Sequence, residues 1–104
     1  MGADNIRGVS MNHFHNTIRF TGDELHNAIL LARRQEDAVL AIMSDGKMRG
    51  PSQIKAIGDR AGRKWLIGSV RRAVTNLEHD GALVKTDTRI PSPYRSFEHC
   101  WQKA

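Results

Sequence analysis

The strongest constraint on the fold is a change of hydrophobic period just before residue 82. Ahead of that point, apolar residues recur at the spacing of one helix face: Val70, Ala73, Val74 and Leu77. This spacing is the template for a helix with one buried face. Gly81 is suited to end such a helix with a positive φ angle. The period then becomes two, so the pattern predicts a helix over residues 67–79 followed directly by a strand over residues 82–86.

A long helical stretch is predicted near the beginning of the chain. Thr21 and Glu24 have the spacing of a capping box, and residues 23–45 contain neither Gly nor Pro. Apolar residues recur at helical spacing, with a polar gap near Arg34 and Gln35. Two interpretations stay open: one helix over residues 22–44, or two helices separated near that gap.

The segment between these two regions predicts another helix. Gly50 can act as its N-cap, and Pro51 stands at the first position, where a missing N–H costs nothing. We expect this helix to end near Arg60, ahead of a turn over residues 61–66. Within that turn, Trp65 is expected to pack rather than to bind a ligand. The short stretch 47–49 has room for a single β-bridge.

The C-terminal part of the chain predicts a β-hairpin. Residues 95–101 alternate as a returning strand, with Phe97 and Trp101 on one side. We expect Trp101 to close the core beside Phe97. Residues 87–94 carry two prolines and are expected to interrupt the pairing, as an eight-residue basic loop.

Charge is unevenly distributed along the chain. The net charge is +5, but residues 1–46 hold four Lys/Arg against six Asp/Glu. Residues 47–104 hold twelve Lys/Arg against five Asp/Glu. A basic surface of this kind attracts polyanions and speeds their association.

The order of predicted elements and the segment SVRRAVTNLEHDGALVK, residues 69–85, resemble the winged helix-turn-helix family. The start TGDEL, residues 21–25, is also similar to small phage or prophage members. The resemblance implies an α+β fold with a three-helix core and a C-terminal β-hairpin wing. It implies a winged-helix domain over residues 21–104, which we expect to follow a flexible N-terminal arm over residues 1–20.

The outer face of the predicted helix 67–79 favours recognition of double-stranded DNA. Arg71 and Arg72 are expected to project outward and read base edges, because arginine binds guanine in bidentate fashion. Thr75 and Asn76 would support them, with Ser69 at the start of the helix. We expect the helix to enter the major groove and the wing, residues 87–95, to contact the backbone or the minor groove.

Phosphate contacts are predicted around this helix. Such contacts need a positive charge or a hydroxyl group, and they carry no information about the base sequence. The candidates are Ser52, Lys55, Arg63, Lys64, Arg89 and Arg95. The implied role is a transcription regulator, with a homodimer through helix 22–44 as one way to gain affinity. The alternative is a winged-helix adaptor that binds an acidic protein partner.

Other function classes are not favoured by the sequence. It contains no nucleophile elbow, no P-loop and no metal-spaced set of Cys and His residues. We therefore expect no enzymatic activity, no cofactor and no metal site. Cys100 is the single cysteine, which excludes an intrachain disulfide and fits a cytoplasmic setting.

Overall fold

The computed structural model describes residues 22–104 of the chain. This part forms an α+β arrangement of four helices and a C-terminal antiparallel hairpin, which is compatible with a winged-helix layout. The elements are α1 (Gly22–Leu31), α2 (Gln35–Met43), α3 (Pro51–Arg60), α4 (Ile67–His79), β1 (Leu83–Ser92) and β2 (Arg95–Lys103). The predicted arm over residues 1–20 and the Thr21 cap lie outside the described residues.

The first helical stretch is divided, as one of the two interpretations predicts. α1 and α2 are separated by residues 32–34, and Arg34 lies in extended conformation at the N-cap of α2. The guanidinium group of Arg63 donates to the carbonyl oxygens of Ile29 at 3.0 Å and Ala32 at 3.3 Å. These are backbone acceptors left unpaired where α1 ends. A side chain distant in sequence therefore stabilises the break.

The N-terminus of α3 is capped from two directions. Gly50 has no side chain to act as a cap, and the Gln53 side chain accepts the Gly50 N–H at 3.0 Å. The carboxylate of Glu98, from β2, accepts the backbone N–H of Ser52 at 3.2 Å and also its hydroxyl group. A Cβ on Gly50 would lie 2.6 Å from Glu98 Oε2, so the glycine leaves room for this carboxylate.

α4 packs into the core by the predicted face. The core positions Val70, Ala73, Val74 and Leu77 are all buried. Gly81 adopts a φ of 81°, and the Ala82 N–H donates to the Leu77 carbonyl at 2.9 Å. This is the Schellman arrangement, which satisfies terminal carbonyls and turns the chain into β1. Trp65 is buried against Gly58 of α3, which confirms its predicted packing role.

The predicted eight-residue loop is wrong, because β1 continues to Ser92 and the hairpin turns tightly at residues 93–94. Pro91 pairs with Phe97 across the ladder. Within residues 22–104, β1 pairs with β2 alone, so the missing N–H of Pro91 breaks no bond to a second neighbour there. The prolines are compatible with an edge strand, and the register is irregular at two places: across residues 86–88 and between Pro91 and Ser92.

The face of β2 that packs inward also differs from the prediction. Glu98 and Cys100 are buried, whereas Phe97 is 57% exposed. Trp101 is half-buried at the edge of the core, and its indole N–H donates to Glu78 at 3.0 Å. Alternation defines two faces of a strand, but the packing of Glu98 against α3 decides which of them is covered. The predicted β-bridge near residues 47–49 is confirmed by pairing of Arg49 with Trp101.

Candidate nucleic-acid interface

α4 carries two neighbouring arginines that differ in exposure: one lies on its outer face and the other at its flank. Arg72 is exposed, and with about 100° of turn per residue it lies nearly opposite the buried Val70. Arg71 lies only about 100° from Val70 and is half-buried. Its Nη2 atom is inaccessible to solvent and has no hydrogen-bond partner. The expectation that both guanidinium groups project outward therefore holds for Arg72 and fails for Arg71.

Thr75 and Ser69 lie on the exposed surface of α4 on either side of Arg72. The hydroxyl of Thr75 donates to the Arg71 carbonyl at 2.9 Å. Its lone pairs stay available to a ligand, while its proton is engaged within the helix. Ser69 lies in the first turn of α4, where no acidic residue is present.

A cleft of about 270 Å³ lies between the start of α2 and the outer face of α4. Polar or charged residues make up all of its lining except one alanine: Arg34, Gln35, Glu36, Ser69, Arg72, Ala73 and Asn76. The Nε2 atom of Gln35 is buried without a hydrogen-bond partner. Arg34, at the N-cap of α2, and Arg72, on α4, thus border one concave surface together with a single carboxylate, that of Glu36. Arginine side chains of this kind bind phosphate groups.

Glu36 occupies part of this cleft. Its carboxylate accepts from Asn76 Nδ2 at 2.9 Å and from Arg34 Nη2 at 3.1 Å. The amide of Asn76 is therefore held by an acidic side chain of α2. A nucleic acid that uses Asn76 has to displace this contact, because the same Nδ2 group would bind the base.

The residues predicted on α3 take part in contacts within the protein. Ser52 binds Glu98 through both its N–H and its hydroxyl group. Lys55 Nζ donates to Asp59 at 2.6 Å, one helical turn away. That bond raises the pKa of Lys55, so the amine is cationic but already paired.

The two basic residues of the turn before α4 differ in their surroundings. Arg63 is half-buried and donates to carbonyl oxygens at the end of α1, so its role in the fold is clear. Lys64 is exposed and adopts a φ of 54°, the only positive φ of a non-glycine residue in the described part. Lys64 is therefore better placed than Arg63 to contact a phosphate.

The hairpin carries the two remaining predicted residues. Arg89 is exposed on β1 and pairs with His99. Arg95 begins β2 opposite Ser92, next to the turn of the hairpin. Lys85 lies closer to the body of the protein, with its Nζ 5.7 Å from the centroid of the Trp101 ring.

Sequence reasoning missed Arg34 and Phe97. Arg34 was visible only as part of a polar gap, and no local signal places it beside a helix that begins 33 residues later. Alternation along β2 places Phe97 on the side of Trp101, which is predicted to close the core. Both positions depend on how distant elements pack.

Two other kinds of site are not found in residues 22–104. This part contains no group of three or more His, Cys, Asp or Glu side chains arranged to hold a metal ion. None of its helices has the length and apolar character needed to cross a bilayer.

Comparison with protein-family models, curated protein sequences and solved structures finds no match to this chain.

Proposed function

We propose that this protein is a winged-helix domain that binds double-stranded DNA. α4 would enter the major groove, and the hairpin around residues 87–95 would contact the backbone or the minor groove. The observation that carries this proposal is the exposed guanidinium group of Arg72, opposite the face by which α4 is anchored in the core. A rigid helix with an outward arginine matches the width of the major groove and the acceptor pair of guanine.

The cleft beside α4 supports the same proposal. Arg34 borders it together with Arg72 and Ser69, so a phosphate next to the inserted helix would meet a cation at the N-cap of α2. Lys64 and Arg89 are exposed on other elements and are further candidates for phosphate contacts. With about four or five phosphates neutralised, log affinity should fall against log salt concentration with a slope near −4.

The test begins with selection of bound sites from a random pool of duplexes. Binding to a selected duplex is then measured by fluorescence anisotropy from about 50 to 200 mM salt. Arg72→Ala should weaken binding by roughly 5- to 150-fold and relax the preference at one base pair, as expected for the loss of a bidentate base contact.

Arg60→Ala is the matched control. It removes the same charge from an exposed residue in the last turn of α3, outside the proposed surface. We expect less than about a twofold change, because only long-range attraction is reduced. Equal losses for the two variants would contradict base reading by Arg72. Binding no tighter than ~10⁻⁴ M at physiological salt would contradict the DNA proposal and favour the adaptor that binds an acidic protein.

The regulatory role and the homodimer stay predictions. The long helix proposed as the dimer contact is divided into α1 and α2, and Leu31 at the end of α1 is 80% exposed. Light scattering coupled to gel filtration tests the dimer: a monomer at high concentration removes it. A dimer would predict two half-sites about one DNA turn apart in the selected sequences.

A further inference from the structure

The outer part of the hairpin has one face turned away from the body of the protein. The pairs Arg89–His99 and Pro91–Phe97 are two residues apart on each strand, so their side chains share a face. The opposite face holds Glu98, which is 5% exposed and binds Ser52 of α3. The first face is therefore the one that a ligand can reach.

This face presents two apolar side chains, and a purely electrostatic contact with DNA would not need them. Phe97 is 57% exposed and Pro91, directly across the ladder, is also exposed. Arg89 stands on the same face, two residues before Pro91 on β1.

The same face of β2 continues to α4. Trp101 alternates with His99 and Phe97, and its indole N–H contacts Glu78 on α4 at 3.0 Å. Glu78 lies on the flank of α4, about 120° around the helix from Arg72. The hairpin face therefore begins beside this flank and extends outward to the Pro91–Phe97 pair. A duplex on the outer face of α4 that extends past the flank would meet the pair.

We propose that Phe97, supported by Pro91, acts as an apolar wedge that enters the minor groove of the bound duplex and bends the DNA. Phe and Pro are among the side chains that insert between base steps. Insertion costs free energy because the bases are unstacked, and the wider contact with the bent duplex offsets this cost. Arg89 supplies the positive charge that the negative potential of the minor groove attracts. This inference rests on the proposed DNA binding and adds a deformation of the DNA to it.

The test measures bending separately from binding. A duplex of about 30 base pairs, selected by the wild-type protein and labelled at both ends, reports its bend by energy transfer between the dyes. Wild-type protein should bend it by roughly 20–90°. Phe97→Ala should reduce the bend by more than about half and weaken binding on the order of tenfold, with the salt slope unchanged because no phosphate contact is lost. Phe97→Leu should keep most of the bend.

Val84→Ala is the control. Val84 is an exposed apolar residue of β1 at the base of the hairpin, whereas Phe97 lies on β2 further out, so shortening the Val84 side chain should leave the bend unchanged. Thermal unfolding followed by circular dichroism verifies that each variant is folded. Tight binding without bending by the wild type, or an undiminished bend with Phe97→Ala, overturns the wedge and leaves DNA binding intact. Failure to bind any duplex overturns both proposals.

Discussion

Gly58 provides a test in which helix propensity and packing predict opposite signs. It lies inside α3, where replacing glycine by alanine normally stabilises a helix by about 1 kcal/mol. A Cβ at this position, however, would overlap the Cε3 and Cζ3 atoms of Trp65 and lie 2.9 Å from Cδ2. Carbon atoms in contact prefer about 3.5–4.0 Å, so the ring or the helix has to move by more than about 1 Å.

The expected magnitude follows from the rigidity of both neighbours. Trp65 is 8% exposed, and the other partner is the backbone of a helix, so neither can move without disturbing the core. We take the top of the usual range for overpacking, about 3 kcal/mol, and subtract the gain of about 1 kcal/mol in propensity. Gly58→Ala should therefore lower the free energy of unfolding by about 2 kcal/mol, and the Tm by roughly 10 °C.

The assay is urea unfolding followed by circular dichroism, with Gly68→Ala as control. Gly68 lies in the first turn of α4 and its Cβ would have no neighbour within 4 Å, so that variant should be unchanged or slightly stabilised. In a Trp65→Leu background, which lacks the ring, the cost of Gly58→Ala should shrink by at least about 1 kcal/mol. A Gly58→Ala variant as stable as the wild type would refute the reasoning, as would an equal cost in both backgrounds.

Two further predictions concern acidic residues. Glu36→Gln should strengthen DNA binding several-fold, because it removes a negative charge from the cleft and loosens the hold on Asn76. Asp23→Asn makes the same charge change on an exposed residue in the first turn of α1, and should have the smaller effect in anisotropy. Equal effects would contradict the cleft argument. The hydrogen bonds of Arg49 lower the pKa of Asp45 from 3.8 to about 2. The ion pair therefore stabilises the fold fully above about pH 4. This contribution is lost as the pH falls through about 2, where the folded protein takes up the proton. After allowance for solvent exposure, we expect the ion pair to contribute roughly 1–2 kcal/mol to the free energy of unfolding. Between pH 4 and 2 this free energy should therefore fall more steeply in the wild type than in Asp45→Asn. Parallel curves of unfolding free energy against pH would disprove the contribution.

Local patterns predicted the elements around the candidate site well. The bounds of α3 and α4 agree with expectation because their signals lie within each helix: Pro51 at the start of α3, the spacing of apolar residues in α4, and Gly81 after it. The prediction fails for residues 87–92, which continue β1 rather than form a loop. Whether a proline interrupts pairing depends on the presence of a second neighbouring strand, which local sequence does not encode.

The candidate site was predicted only in part for a related reason. Arg72 is exposed as the helical wheel predicts, but Arg71 is half-buried because it lies at the flank of α4, where neighbouring elements decide the exposure. Ser52 was chosen for its hydroxyl group, which instead binds Glu98, a residue 46 positions later.

The amino-acid order alone determined where α3 and α4 begin and end and which face of α4 enters the core, because short-range hydrogen bonding and side-chain periodicity act within a few residues. Tertiary packing alone decided which face of β2 is covered, which carboxylate caps α3 and that Arg34 lies beside Arg72. Those outcomes depend on contacts between groups more than 30 residues apart, and burial is a property of the assembled elements rather than of any single one.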